Sequence, residues 1–240
     1  ITSPRGGVVI RPRQLSGQRI HLVDRWLATP SVHSGGELAN IVGVMDYSFS
    51  NYKLNVTQAV SVVSNNFTRE VAAIPEGKFA MASYNVENLG GDASAARITQ
   101  IAAQIKNTLG APHLISLQEV QDNNGATNNG VVAADVTLSR LAAELNAQTG
   151  RNYQFVTVNP VNNADGGQPG GNIRQAFLYD AARVSFSGVV GGALDAITAT
   201  SVGGKIQLSL GAGRIDPTNT AFANSRKPLV TEFTVDGQKI

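Results

Sequence analysis

The chain has 240 residues, 42% of them hydrophobic and only 15% charged, with a net charge of +2. That is apolar content for one large domain or two small ones; no apolar run approaches the roughly 20 residues that span a bilayer, so no membrane insertion is expected. The absence of cysteine excludes disulfide staples and thiolate metal sites, and so small a net charge excludes a surface that is basic throughout.

Local charge is less even. Arg5, Arg11, Arg13, Arg19 and Arg25 crowd the first thirty residues against a single acid, Asp24, either as a solvated face or as a patch that tracks phosphates. Residues 1–74 are rich in Val, Ile, Tyr, Thr, Asn and Gly and lack a 3.6-residue period, which predicts a small β-domain with strands in GQRIHLVD, ANIVGVMDYSF and YKLNVTQ, the last two joined through Ser50 and Asn51. No ladder of aromatics placed to stack bases stands out there. Residues 75–77, around Pro75 and Gly77, read as a linker to a second domain over 78–240.

In that domain FAMASYNV is a predicted strand. Asp92 or Ser94 then caps a helix with Ile98, Ile101, Ile105 and Leu109 on one face, stopped by Gly110 and Pro112. The run HLISLQEV follows as a strand, then a Gly/Asn loop and a helix aligned on Leu138, Leu141 and Leu145. YQFVTV and QAFLYD are strands on either side of NPVNNADGGQPGGNIR, a loop long enough to be functional or mobile. SRKPLVTEFTV reads as the last strand, with Asp236-Gly237 as a tight-turn pair and three residues after it. A chain broken inside a hairpin is the expectation, with any targeting segment outside the given residues. Strand and helix alternate first and strands then follow one another, which predicts an α+β layered domain with mixed sheets.

Two of these strands end on polar side chains, Asn85 and Glu119. The helix between them has the length of a crossover to a parallel neighbour, which would bring both ends to one sheet edge. A carboxylate and an amide carbonyl are hard oxygen donors suited to Mg2+ or Mn2+.

SYNVENL followed by LISLQEVQDN, with GGNIRQAFLYD and SRKPLV further on, resembles the endonuclease/exonuclease/phosphatase superfamily, in the variant found in bacterial extracellular nucleases. The resemblance spans about 78–240. It implies half of a four-layered deoxyribonuclease I-like α/β sandwich, with Asn85 and Glu119 as catalytic residues that hold Mg2+, or Mn2+ or Ca2+ in its place. The implied activity is that of a secreted, extracellular endonuclease that hydrolyses phosphodiesters of DNA or RNA by in-line attack of water. Its partner is the nucleic acid substrate; no obligate protein partner is evident. GVMDYSFSNYKLNV is similar to what precedes that domain in those nucleases, which makes the β-domain OB-like.

Arg174, Arg226 and Asn172 are the residues implied for substrate binding. Arg174 follows Gly170 and Gly171, and its guanidinium suits either a bidentate phosphate clamp or an ordinary salt bridge. Arg226 suits a phosphate contact or a surface role. Gln118 reads as a residue that supports Glu119 or simply packs, Tyr179 as core, and Asp122 as a turn residue rather than an EF-hand ligand, because the third ligand position falls on Ala126. The family's catalytic His and Asp-x-Asn elements have no counterpart: His21, His33 and His113 are the only histidines. The fragment alone is therefore expected to be inert, although its parent is an enzyme. Alternatives are a phosphodiesterase or phosphatase of the same superfamily that acts on a lipid or inositol phosphate, and a nucleic-acid-binding module without catalysis.

Overall fold

The computed structural model describes residues 20–23, 25–32, 36–64 and 70–240; Arg5, Arg11, Arg13, Arg19, Asp24 and His33 lie outside them. The chain divides into two compact units, 1–69 and 70–240. The architecture is mixed α+β, with two α-helices and many short strands in small sheets, and no closed barrel among the described residues.

The first unit contains β1 (Ile20–Val23), β2 (Glu37–Ala39), β3 (Gly43–Ser48), β4 (Asn51–Val56) and β5 (Ser61–Ser64). One sheet has the order β1-β4-β3, with β1 parallel and β3 antiparallel to β4; β2 and β5 form an antiparallel pair. In the β3–β4 hairpin Tyr47 pairs with Tyr52 and Ser48 with Asn51. The turn is therefore Phe49-Ser50, one residue earlier than expected. Asn51 is drawn into the ladder and its Nδ2 donates to the Phe49 carbonyl at 2.7 Å, which closes the tip.

The second unit is built on β6 (Met81–Leu89), β7 (Leu114–Val120), β8 (Tyr153–Thr157) and β9 (Arg174–Asp180), in the sheet order β6-β7-β9-β8. Helix α1 (Ala95–Asn107) crosses between the parallel strands β6 and β7, and α2 (Asp135–Thr149) leads from β7 to β8. Ser94, not Asp92, caps α1: its side chain accepts from the Arg97 N–H. Ala134 offers α2 no such cap, and the distant Asn123 supplies it, Oδ1 accepting from Val136 N at 2.8 Å. Gly150, in the left-handed conformation, ends α2. The isoleucines of α1 and leucines of α2 bury one face of the sheet, against Val86, Leu89, Ile115, Leu117, Val120, Ala176 and Leu178.

Alternation along the strands sends Leu114, Val156 and Tyr179 to the other face, where Val184, Ala212, Phe233 and Val235 cover them. These come from β10 (Val184–Phe186), β13 (Ala212–Arg214) and β15 (Phe233–Val235); between them lie the β11 (Ala199–Val202) and β12 (Lys205–Leu208) hairpin and β14 (Leu229–Thr231). The predicted strand 225–235 is thus two. It breaks at Glu232, whose N–H goes to Gly211 O at 2.9 Å, so the chain leaves β13 and joins β10. Asp236 and Gly237, with φ of 49° and 76°, turn it back into β16 (Gln238–Lys239), which pairs with β15. Ahead of the sheet, Ala72 N–H binds Thr108 O at 2.8 Å, tying 70–78 to the end of α1.

Candidate metal-binding edge and the loop beside it

Strands β6 and β7 run in register from Met81↔Leu114 to Asn85↔Gln118, and pairing resumes only at Leu89↔Val120. Val86, Glu87 and Asn88 on one strand and Glu119 on the other fall in the gap. On its other side β7 pairs Leu117 with Ala176 and then Val120 with Arg174. Gln118 and Glu119 therefore oppose Gln175 alone, which is a β-bulge. The backbone records it: Glu87, Asn88 and Glu119 have φ of 53°, 56° and 61°, a region that costs a non-glycine residue about 1–3 kcal/mol and that clusters at functional sites.

The bulge decides where Glu119 points. Ile115, Leu117 and Val120 are all buried in the helix-facing core, and the odd step from Leu117 to Val120 is possible only if the pleat slips between them. Glu119 absorbs the slip and sits half-buried at the strand mouth. Among the described residues its carboxylate has neither a hydrogen-bond nor an ion-pair partner. Asn85 is exposed, and its Oδ1 accepts from Glu87 N at 2.7 Å. Arg97 on α1 donates to the carbonyls of Val86 and Glu87, holding the β6 irregularity in place. Gln118 ties the two strands together: Nε2 donates to Ser116 O at 3.0 Å, and Oε1 accepts from Ser83 Oγ at 3.3 Å.

The donors at this edge are all oxygen. Glu119 offers a free carboxylate, Asn85 a carbonyl with a second lone pair, and Glu87, which carries no expectation from the sequence, a second carboxylate in the same gap. Among the described residues no three His, Cys, Asp or Glu side chains converge as a metal cage. Such a set fits Mg2+ or Mn2+, which use one or two protein carboxylates and keep their waters, better than Ca2+ with its six to eight ligands.

Arg174 opens β9 at the same edge, opposite Val120, but its side chain turns inward and is 1% exposed. Nε donates to Asn172 O at 3.0 Å, and Nη1 to the Val132 carbonyl and to Asn159 Oδ1. Burial pulls its pKa down to about 10, opposed by the charge of Asp122; among the described residues Nη2 meets no partner. Asn172, also buried and with φ of 46°, donates to Asp122 Oδ2 at 3.0 Å and to Val131 O at 2.8 Å, and accepts from Asn163 N at 2.8 Å. Asp122 is more than a turn residue, since its fully buried carboxylate joins the 122–125 turn to the 159–173 loop.

A second buried knot fixes that loop. Asp165 takes Arg214 Nη2 at 2.7 Å and Lys227 Nζ at 3.2 Å. Arg226, next to Lys227, is half-buried and lies over Gly167. Of the three residues expected to bind substrate, Asn172 and Arg174 are thus committed to internal hydrogen bonds, and Arg226 alone among them retains solvent access. His113 immediately precedes β7, so about six residues of extended chain, roughly 20 Å, separate it from Glu119. Its Nδ1 accepts from Ala80 N at 3.1 Å, and its ring stacks on Phe79.

The family described as Domain of unknown function (DUF8508) matches residues 2–65, within the first unit. Comparison with curated proteins finds no match.

Proposed function

We propose that the chain carries the metal-holding half of a Mg2+-dependent phosphodiester hydrolase, a nuclease, with Glu119 and Asn85 as metal ligands. The observation that carries this reading is the coincident break in register of β6 and β7, where the amide of Asn85, the last paired residue of β6 before the break, and the unpaired carboxylate of Glu119 on β7 both stand. The finer fold reading that accompanies it is a deoxyribonuclease I-like sandwich preceded by an OB-like β-domain. Its support is the β6-α1-β7 crossover together with the sequences SYNVENL and LISLQEVQDN.

In this reading Glu119 anchors the cation by charge and Asn85 fixes its position along the edge. Arg97 holds the strained carbonyls behind them, so that the ligands are placed before binding. A bound Mg2+ supplies Lewis acidity to a phosphoryl oxygen and stabilises the leaving oxyanion. Arg226 is the solvent-accessible cation for a substrate phosphate.

Binding of Mn2+, followed by the loss of the free-ion paramagnetic resonance signal, tests the site without relying on turnover. Glu119→Gln should weaken it at least about 10-fold, and Asn85→Ala by a smaller factor. Nicking of supercoiled DNA, where it occurs, should require Mg2+ and fall by about 100-fold or more in Glu119→Gln. Unchanged Mn2+ affinity in Glu119→Gln overturns the assignment.

A further inference from the structure

The first unit contains a feature that the metal edge does not use. Phe49 and Ser50 form the two-residue tip of the β3–β4 hairpin, with φ of 50° and 58°. Two positive φ values define the type I′ turn, whose positions favour Asn-Gly. For a residue as bulky as Phe this conformation is an outlier. Burial does not compensate it: Phe49 is 90% exposed, and the contact found for its ring is Lys53 Nζ, 5.0 Å from the centroid. An unfavourable backbone position therefore holds a large apolar ring in solvent beside a cation.

Next to the tip, Tyr47 and Tyr52 face each other across the strands with ring centroids 4.9 Å apart. They are 61% and 53% exposed, and Met45 and Ile20 extend the same open sheet face. The sequence showed no ladder of stacking aromatics; the hairpin register creates a short one. Charge adds a second, independent observation. Residues 1–69 hold seven Lys and Arg against three Asp and Glu, a net +4, while the whole chain is +2, so residues 70–240 carry −2.

We propose that the β3–β4 hairpin is a single-stranded nucleic acid binding element, in which Tyr47, Tyr52 and Phe49 stack on bases while Lys53 meets a phosphate. Exposed rings within a basic unit match the two chemical features of a single strand, accessible base faces and a charged backbone. A duplex hides its base faces and offers the rings nothing. This site is independent of the metal edge: it requires no cation and performs no hydrolysis.

The test uses the full chain in EDTA, which removes divalent ions, and reads the fluorescence anisotropy of a labelled oligothymidylate of about 20 nucleotides against a duplex of equal length. Single strands should bind more tightly than duplex. Phe49→Ala, Tyr47→Ala and Tyr52→Ala should each weaken single-strand binding by about 5- to 100-fold, while Tyr47→Phe and Tyr52→Phe keep it. Lys53→Gln should reduce the salt slope by about one phosphate contact, whereas the aromatic variants leave that slope unchanged. Phe49→Asn separates binding from folding: Asn suits the turn, so the variant should melt at a higher temperature and still lose affinity. Absence of single-strand binding at low salt, or equal affinity in Phe49→Ala, overturns the proposal. It is equally overturned if the aromatic substitutions instead abolish self-association in sedimentation, or binding to anionic vesicles.

Discussion

Arg174 shows how much depends on one side chain. Its donor bonds end on Val132 and Asn159 from other segments and on the nearby Asn172, and among the described residues it forms no ion pair with a carboxylate. Arg174→Ala leaves those acceptors buried and unpaired, and should lower the unfolding free energy measured in urea by about 3 kcal/mol or more. Arg174→Lys should not restore it, because a point ammonium cannot span the same acceptors as a planar guanidinium. The GGNIR stretch suggested a phosphate clamp because sequence shows residue type and neighbours. It does not show that the acceptors are the distant Val132 carbonyl, the Asn159 side chain and the nearby Asn172 carbonyl. His113 supports a second prediction at this scale. Burial, with the charges of Arg151 and Arg183, pushes its pKa below the ordinary 6.5 against the opposing pull of Asp180 and Asp236. The unfolded chain then takes up a proton at a higher pH than the folded one, so this group's contribution is complete above about pH 6.5 and is lost as pH falls through the folded value. The melting temperature should drop in that acidic window, and His113→Asn, whose side-chain carbonyl can still accept from Ala80, should flatten the drop.

At the scale of elements, regular periodicity was legible and irregularity was not. Helices α1 and α2 and strands β6 to β9 follow from Ile and Leu spacing and from short apolar runs, and the Asp236-Gly237 hairpin from its turn chemistry. The bulges at Glu87, Asn88 and Glu119 could not be read, because the slip in the pleat is defined by pairing with another strand. Strands β10 to β13 are three or four residues long among Gly and Ser, too short to show alternation. The 159–173 loop is long enough in sequence to be functional or mobile; the buried Asp165, Arg214 and Lys227 make it a fixed part of the layer. Gly166 tests that fixation. It has φ of +68°, and a Cβ there would stand 1.9 Å from Asn224 O, so Gly166→Ala should destabilise the unit by about 2 kcal/mol or more in denaturant titration.

At the scale of the whole molecule, charge and ligand linkage make two units of opposite sign separable by experiment. On the proposed assignment Mg2+ binds the folded edge and not the unfolded chain, so at about 100 times its Kd it should add about 2.7 kcal/mol to the unfolding free energy of wild type and little to that of Glu119→Gln. Single-stranded oligonucleotide should protect independently of Mg2+. One consequence follows from the β7 bulge itself. If Glu119 were excised, Val120 would move up one place and fall in step with Ile115 and Leu117, and the apolar face would run on without a break. The core thus has no use for the additional residue, and a chain one residue shorter should fold at least as firmly while losing its affinity for the cation. Packing gives no reason to keep Glu119; the proposed cation does.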